Sequence, residues 1–278
     1  MMFRAVVTDL DGTLLRSDGE ISDYTVQTLA RAAAQGVTVI LCTGRMYDSL
    51  KFILPRLPFC RYAVTNMGAE LYDTKTGTLL ESIPLEQSYM QTVVAYGLAR
   101  GVHMNLYIDN VLYTNSLDRY AEQYFRHTST MAKLVEGDVQ AFVRGKDLAK
   151  IAFIGEEDDI AAHGKELRRL LGGKINICAS WKTYVECSSL RAQKHLMLAR
   201  LLDRLSLQKE EALLFGDSGN DVTMLASGGF SVCVANGWDE AKAAARLICE
   251  ENDADGVART VARLILEEGA QKAWQNCP

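Results

Sequence analysis

This 278-residue sequence lacks several things, and each absence removes a class of function. No charged-then-apolar leader opens it, and no apolar run approaches the length that crosses a bilayer, so a cytoplasmic protein without a membrane partner is expected. No C-x-x-C pair occurs. The seven cysteines (Cys42, Cys60, Cys178, Cys187, Cys233, Cys249, Cys277) are odd in number, scattered and mostly inside apolar strand-like segments, which reads as buried free thiols. The four histidines (His103, His127, His163, His195) show no ligand spacing, so zinc is not expected. Excess positive charge is missing too: a formal net charge of -5 argues against a nucleic-acid backbone or an anionic membrane as principal partner. There is no internal repeat and no low-complexity segment. The length and apolar content suffice for one large domain or two ordinary ones, and two is the expectation.

What is present is organised around residues 6–15, Val-Val-Thr-Asp-Leu-Asp-Gly-Thr-Leu-Leu. A run of β-formers ends in Asp9 and Asp11, and the period of two in an extended chain puts both carboxylates on one side. Asp9 reads as a nucleophile. Gly12 follows, where the backbone can turn sharply and amide groups can approach a ligand. Asp and Gly after a strand are also ordinary turn formers. The odds change because the rest of the chain supplies the hydroxyl, the cation and the further carboxylates that phosphoryl chemistry needs.

Read in order, Ser22 caps a helix carrying Val26, Leu29, Ala30 and Ala33, and Gly36 ends it. Residues 37–42 form a buried parallel strand that opens into Thr43, Gly44 and Arg45. A short helix over 47–54 stops before Pro55, and a strand at 62–65 precedes a hairpin through 75–80. From Pro84 the texture changes. A helix at 85–100, a hairpin of 103–108 with 111–113, strands at 150–154, 175–179 and 184–187, and a helix at 160–171 predict an antiparallel α+β insert, too long to be a loop. An amphipathic helix over 192–205 leads back to the open pattern: strands at 212–215, 230–234 and 247–249, and helices at 221–226, 239–246 and 256–268, with a loose tail from Gly269. The predicted fold is α/β: a Rossmann-like parallel-sheet core (1–83 and 189–278) interrupted by an inserted α+β cap domain (84–188).

Thr43 ends a predicted parallel strand, where open α/β sheets bind ligands; its hydroxyl and the Gly44 amide could hold phosphate oxygens, or Thr43 could simply cap a helix. Lys194 falls in the first turn of a helix, a poor place for a cation unless an anion site is near; the alternative is a solvated lysine. Residues 216–221, Gly-Asp-Ser-Gly-Asn-Asp, follow a strand and make a tight, oxygen-rich loop. There Asp217 could complete Mg²⁺ coordination with Asp9, and Asp221 could hold the metal's water or the lysine. A Gly/Asp turn with an N-capping Asp is the plainer reading of that loop.

Together Asp9-x-Asp11-Gly12-Thr13, Thr43-Gly44-Arg45, Lys194 and residues 216–221 resemble, in order and spacing over the whole chain, the four motifs of haloacid dehalogenase-like phosphatases. The insert and Asn252-Asp253-Ala254-Asp255-Gly256-Val257 are similar to the Cof-type subgroup. The resemblance implies a mobile cap, Mg²⁺ dependence, and hydrolysis of small phosphorylated metabolites such as sugar phosphates. It implies that Asp9 forms an aspartyl-phosphate, Asp11 serves as acid and then base, and Lys194 supplies charge. Asp9, Asp217 and the Asp11 carbonyl would bind metal, Thr43, Gly44 and Asn220 the phosphoryl oxygens beside Gly12, and Asp221 would support metal or lysine. Two positions depart from the pattern. Asn66-Met67-Gly68-Ala69 replaces or shifts an amide expected to face the cleft, and His195 stands where glycine is usual, which exposes an imidazole. Asn236 retains the amide of a further Gly-Asn-Ala element.

Rival readings differ in class. A receiver domain also uses acids, a Thr and a Lys, but needs no large insert or second acidic loop. A phosphotransferase or mutase would share the site, and a non-catalytic relative would bind a phospho-ligand without turning it over. Tyr107, Tyr113, Lys150, Trp181 and Lys182 in the insert are polar or aromatic enough to meet a substrate, although Tyr and Trp at strand spacing are more often core. The sequence does not specify the substrate or the oligomeric state.

Overall fold

The structure, a computed structural model, describes residues 3–267. Glu268, the tail from Gly269 and Cys277 lie outside the described residues. The first part of the chain gives β1 (Ala5–Thr8), α1 (Asp23–Ala34), β2 (Thr38–Cys42), β3 (Cys60–Thr65), β4 (Glu70–Asp73) and β5 (Thr78–Ser82). The insert gives α2 (Gln87–Ala99), β6 (His103–Ile108), β7 (Val111–Thr114), α3 (Arg119–Thr128), β8 (Lys133–Leu134), α4 (Val139–Val143), β9 (Leu148–Ile154), α5 (Glu157–Leu171), β10 (Ile175–Trp181) and β11 (Tyr184–Ser189). The last part gives α6 (Lys194–Arg204), β12 (Ala212–Gly216), α7 (Val222–Leu225), β13 (Phe230–Val234), α8 (Asp239–Ala244), β14 (Leu247–Cys249) and α9 (Gly256–Val261).

The core sheet runs β14-β13-β12-β1-β2-β3-β4-β5, parallel from β14 to β3 and antiparallel at the β3–β4–β5 edge. Its central strands are continuous apolar runs because both faces are covered. Val6, Val39, Leu213 and Phe215 pack with Leu29 of α1 and Val261 of α9, whereas Val7, Ile40 and Leu214 pack with Met197 and Leu201 of α6. The chain leaves β1 toward β2 and later returns to β12 on its other side. The carboxyl ends of β1, β2 and β12 therefore open on a topological switch point, where such sheets bind ligands.

The insert forms a second sheet, β10-β11-β9-β6-β7-β8, antiparallel except at β7–β8. The fold is thus the expected parallel-sheet α/β core with an inserted α+β unit. Alternation divides the second sheet. Met104, Leu106, Ile151, Phe153, Val185 and Cys187 form a core with Val93 of α2 and Leu167 of α5, while Tyr107, Lys150 and Glu186 point to the opposite face, over the first sheet's carboxyl ends.

Three local expectations change. Between Tyr113 and Lys150 no element was expected, yet α3, β8 and α4 lie there. In α3 only Tyr124 and Thr128 are buried; the helix is amphipathic but polar overall, and the Asp118 side chain caps it by accepting from Tyr120 and Ala121 N–H. The helix expected over 47–54 is two 3-10 turns, Tyr47–Phe52 and Leu54–Arg56, the second containing Pro55 at a position that needs no N–H donor. The last helix widens into a π turn over Ala262–Leu266.

Gly68 shows how tightly the two halves of the core fit. Its φ is +95°, and a Cβ there would lie 2.3 Å from the Gln193 carbonyl carbon and 2.7 Å from the Lys194 nitrogen, at the very start of α6. Gly68→Ala is expected to cost at least about 2 kcal/mol, from φ strain together with the backbone clash. Urea unfolding checks this; an unchanged midpoint would mean that α6 does not seat on Gly68.

Candidate active site

Asp9 follows β1 directly, its N–H donating to the Phe215 carbonyl at 3.0 Å, so it is fixed between β1 and β12. The wide turn Leu10–Leu14 then carries Asp11 in extended backbone and Gly12 at φ +74°. A Cβ on Gly12 would sit 2.7 Å from Asp217 Oδ2, so glycine lets the two acidic loops meet. From behind, the Asn236 amide donates to the Gly12 carbonyl at 2.7 Å and accepts from Asn252 N–H at 3.0 Å. The Asn252 amide donates in turn to the Leu15 carbonyl at 2.9 Å.

One carboxylate oxygen from each of Asp9, Asp217 and Asp221 lies within 4.8 Å of the others, and all three residues are buried. Lys194, the first residue of α6, is buried among them and donates to Asp9 Oδ1 at 2.9 Å and Asp221 Oδ1 at 2.8 Å. Asp221 Oδ2 accepts from the Asp217 and Ser218 amides at 3.1 and 3.2 Å, so both its oxygens are engaged. Thr13 donates to Asp217 Oδ1 at 2.7 Å. Asp9 Oδ2 and Asp217 Oδ2 accept from no described residue, and both side chains line the cavity.

The electrostatics follow from burial. Desolvation, with the charges of Asp221 and Asp11 added and Lys194 opposing, pushes the Asp9 carboxyl up to about 7. Desolvation and the charges of Asp9 and Asp221 push Asp217 up to about 8. For Lys194 burial alone would lower the pKa, but Asp221 and Asp9 outweigh it and the ammonium is held above its ordinary value. Clustered hard oxygens with less positive than negative charge fit a divalent cation such as Mg²⁺.

The Asp11 side chain stands apart from that group. Arg45 donates to it through both Nε (2.8 Å) and Nη2 (2.6 Å), and His127 Nε2 lies 3.7 Å from Oδ1. Burial would raise the Asp11 carboxyl, but Arg45 holds it below the usual range. Its carboxylate is therefore committed to Arg45, which leaves the main-chain carbonyl as its candidate metal ligand.

Thr43 follows β2 directly and is fully buried, outside the cavity lining; its hydroxyl accepts from Arg45 N–H at 3.1 Å and so stabilises a turn, not the helix start of the plainer reading. Gly44 and Asn220 line the cavity near it. Met67, not an amide, lies between them: its sulfur is 3.7 Å from Asn220 Nδ2 and would be 2.9 Å from a Cβ on Gly44. Asn66 turns away and donates to Glu70 at 2.9 Å. The His195 imidazole, expected to be exposed, is half-buried, and its Nδ1 has no partner among the described residues.

The second sheet closes the other side of a cavity of about 460 Å³, where Tyr107, Tyr124, His127, Lys150, Trp181 and Glu186 face the acids. Three of these, Tyr124, His127 and Glu186, have no assigned role in the sequence reading, and neither has the Arg45 that grips Asp11. Lys150 had a readable signal, a charge inside the apolar strand β9. Tyr113 instead packs its ring against Phe142 at 5.0 Å, outside the cavity lining. Among the described residues no helix is long and apolar enough to cross a membrane.

Replacing Lys194 by Met leaves Asp9 and Asp221 uncompensated. The loss is expected to be about 3 kcal/mol at pH 8 and less at pH 5, where Asp9 takes up a proton. Urea unfolding at the two pH values measures it; equal losses would show that charge pairing is not the cause.

A model described as haloacid dehalogenase-like hydrolase matches residues 6–261. The 5-amino-6-(5-phospho-D-ribitylamino)uracil phosphatase of Bacillus subtilis is 25% identical over 269 residues, 95% of this chain and 96% of that protein. The HMP-PP phosphatase of Citrobacter koseri is 28% identical over 235 residues, 84% of this chain and 85% of that one. Among solved structures, a haloacid dehalogenase-like hydrolase from Bacteroides thetaiotaomicron superposes with a TM-score of 0.83 at 26% identity, covering 95% of this chain and 100% of its own.

Proposed function

The chain belongs to the haloacid dehalogenase-like hydrolase family and is a phosphatase, and we propose that it hydrolyses small phosphorylated metabolites through an aspartyl-phosphate on Asp9. One observation carries this reading: a buried carboxylate with one oxygen fixed by Lys194 and the other facing the cavity.

Asp9 Oδ2 attacks phosphorus as the ester oxygen leaves with a proton from Asp11. Asp11 then takes a proton from the water that attacks the aspartyl-phosphate, releasing inorganic phosphate and regenerating both carboxyls. Lys194 offsets charge on the attacking side, and Gly12, Gly44 and Asn220, which line the cavity, would meet the phosphoryl oxygens, with Thr43 buried behind them. Arg45 holds Asp11 ionised before substrate binds, so Arg45 must be drawn off, toward the arriving phosphate dianion, before Asp11 can carry a proton. Asp9, Asp217 and the Asp11 carbonyl would hold Mg²⁺, with Asp221 in support; bound there, it neutralises charge between nucleophile and phosphate. Residues 84–188 act as a cap over a core of 1–83 and 189–278, excluding bulk water. The substrates named for the two relatives are reasonable members of a first substrate screen.

Release of p-nitrophenol and phosphate from p-nitrophenyl phosphate, with no acceptor present, is expected to need Mg²⁺ and to fall at least about 10³-fold in Asp9→Asn. Activity within tenfold of wild type in that variant would remove Asp9 as nucleophile; transfer only to an added hydroxyl compound would make the enzyme a phosphotransferase.

A second expectation concerns pH. With the Asp9 and Asp217 carboxyls raised to about 7 and 8, the metal-free native state holds protons that the unfolded chain has lost above about pH 4, so these groups make its stability fall as pH rises toward 8. A cation must displace those protons at pH 6 but few of them at pH 8. The Mg²⁺-induced rise in Tm should therefore grow from pH 6 to pH 8; a shift independent of pH would mean that the cation binds elsewhere.

A further inference from the structure

The face of the second sheet that looks into the cavity has a composition of its own. Five rings form a continuous chain: His127 meets Trp181 edge-on at 4.4 Å, Trp181 meets Tyr184 at 6.5 Å, Tyr184 meets Tyr124 at 6.1 Å, and Tyr124 meets Tyr107 at 6.4 Å. They come from three strands and from α3, so no single element dictates the cluster. Period-two alternation had the apolar residues of β6, β9 and β11 to fill the opposite face.

Set into this wall is one ion pair. Glu186 and Lys150 sit on the adjacent strands β11 and β9, both buried, and Lys150 Nζ bonds Glu186 Oε1. Lys150 is otherwise committed: it donates to the Gly44 carbonyl at 2.7 Å and lies 4.4 Å from the centre of the Tyr107 ring. Glu186 Oε2 is different. It is buried, belongs to a cavity-lining residue, and has no hydrogen-bond partner among the described residues. Leaving a charged acceptor desolvated and unpaired is costly, and a ligand bearing a donor removes that cost. Tyr107 does not compete for it, because its hydroxyl proton is given to Tyr124.

Resting on the phosphatase reading above, we infer that the leaving group this enzyme selects is a planar nitrogen heterocycle with an N–H donor, which lies against the aromatic wall and gives its hydrogen bond to Glu186 Oε2. A polyhydroxylated sugar fits this wall less well. Each of its hydroxyls would need a partner on being desolvated, and the wall offers mostly ring faces and edges, with one unpaired carboxylate oxygen among them. An anionic leaving group is disfavoured by the same carboxylate. Planar rings, by contrast, gain from edge and face contacts with Tyr and Trp.

The test compares kcat/KM for pyridoxamine 5′-phosphate (planar heterocycle with an amine donor), p-nitrophenyl phosphate (planar, no N–H donor) and glucose 6-phosphate, in wild type, Glu186→Gln and Trp181→Ala. Wild type is expected to prefer pyridoxamine 5′-phosphate over glucose 6-phosphate at least about tenfold, the worth of one hydrogen bond to a charged acceptor. Glu186→Gln should lower the pyridoxamine 5′-phosphate to p-nitrophenyl phosphate ratio about tenfold, mainly through KM. Trp181→Ala, at a half-exposed position that a folded protein tolerates, should lower both planar substrates relative to glucose 6-phosphate. Preference for glucose 6-phosphate, or equal losses on all three substrates in both variants, overturns the inference while leaving the phosphatase reading intact. Failure of wild type with every substrate, p-nitrophenyl phosphate included, overturns both.

Discussion

The ammonium group of Lys194, buried between Asp9 and Asp221, is the interaction on which the rest of the site depends. Three acidic side chains from two loops cannot share a dry pocket without positive charge, and this one is delivered on the first residue of a helix. A helix start is an unfavourable place for a cation taken alone. Here two buried carboxylates outweigh that, and the raised pKa of Lys194 expresses the balance. The position of the ammonium is set by packing: α6 lies on Val7, Ile40 and Leu214 of the core sheet, and its first peptide rests on Gly68, where no side chain would fit. A backbone detail beyond the third strand thereby fixes a charge beside the first.

The same logic applies to the acids. Asp221 does not face the cavity as a free carboxylate; it ties Lys194 to the amides of Asp217 and Ser218, so the loop 216–221 and the start of α6 form one unit. Asp217 is in turn braced by Thr13 and approached by Gly12. What faces the cavity uncommitted is one oxygen of Asp9 and one of Asp217, an arrangement in which the proposed nucleophile and a candidate cation ligand are both held in place before anything binds. Asn236 and Asn252 hold the Gly12 loop from outside, which gives the segment 252–257 a mechanical reason to exist far from any reacting atom.

These features were unequally legible in the sequence. Asp9, the second acidic loop and the parallel strands that present them could be read because each acidic group sits at the end of a continuous apolar run, and strand ends converge at a switch point whatever the rest of the chain does. Lys194 was ambiguous, since nothing local tells a buried lysine from a solvated one. The grip of Arg45 on Asp11 was not readable: it joins residues 34 apart whose approach depends on the β1–β2 register. Helix α3 escaped because its sequence is polar overall and only Tyr124 and Thr128 are buried, although its residues are amphipathic at helical spacing, and with it went Tyr124 and His127. Its stability comes from the Asp118 cap and from contacts with other rings of the cavity wall.

The insert speaks to the core through Lys150. Its Nζ bridges Glu186, deep in the second sheet, and the Gly44 carbonyl, in the loop that also carries Thr43 and Arg45. Arg45 holds Asp11, and Thr43 braces the Arg45 amide. Glu186 is thereby connected to Asp11, the proposed acid, through the Lys150 hydrogen bonds, the Gly44–Arg45 peptide and the Arg45 pair. Met67 fills the space where a Gly44 side chain would be. The thioether that stands where an amide was expected packs against Gly44, whose carbonyl accepts from Lys150 and so ties the second sheet to the loop after β2.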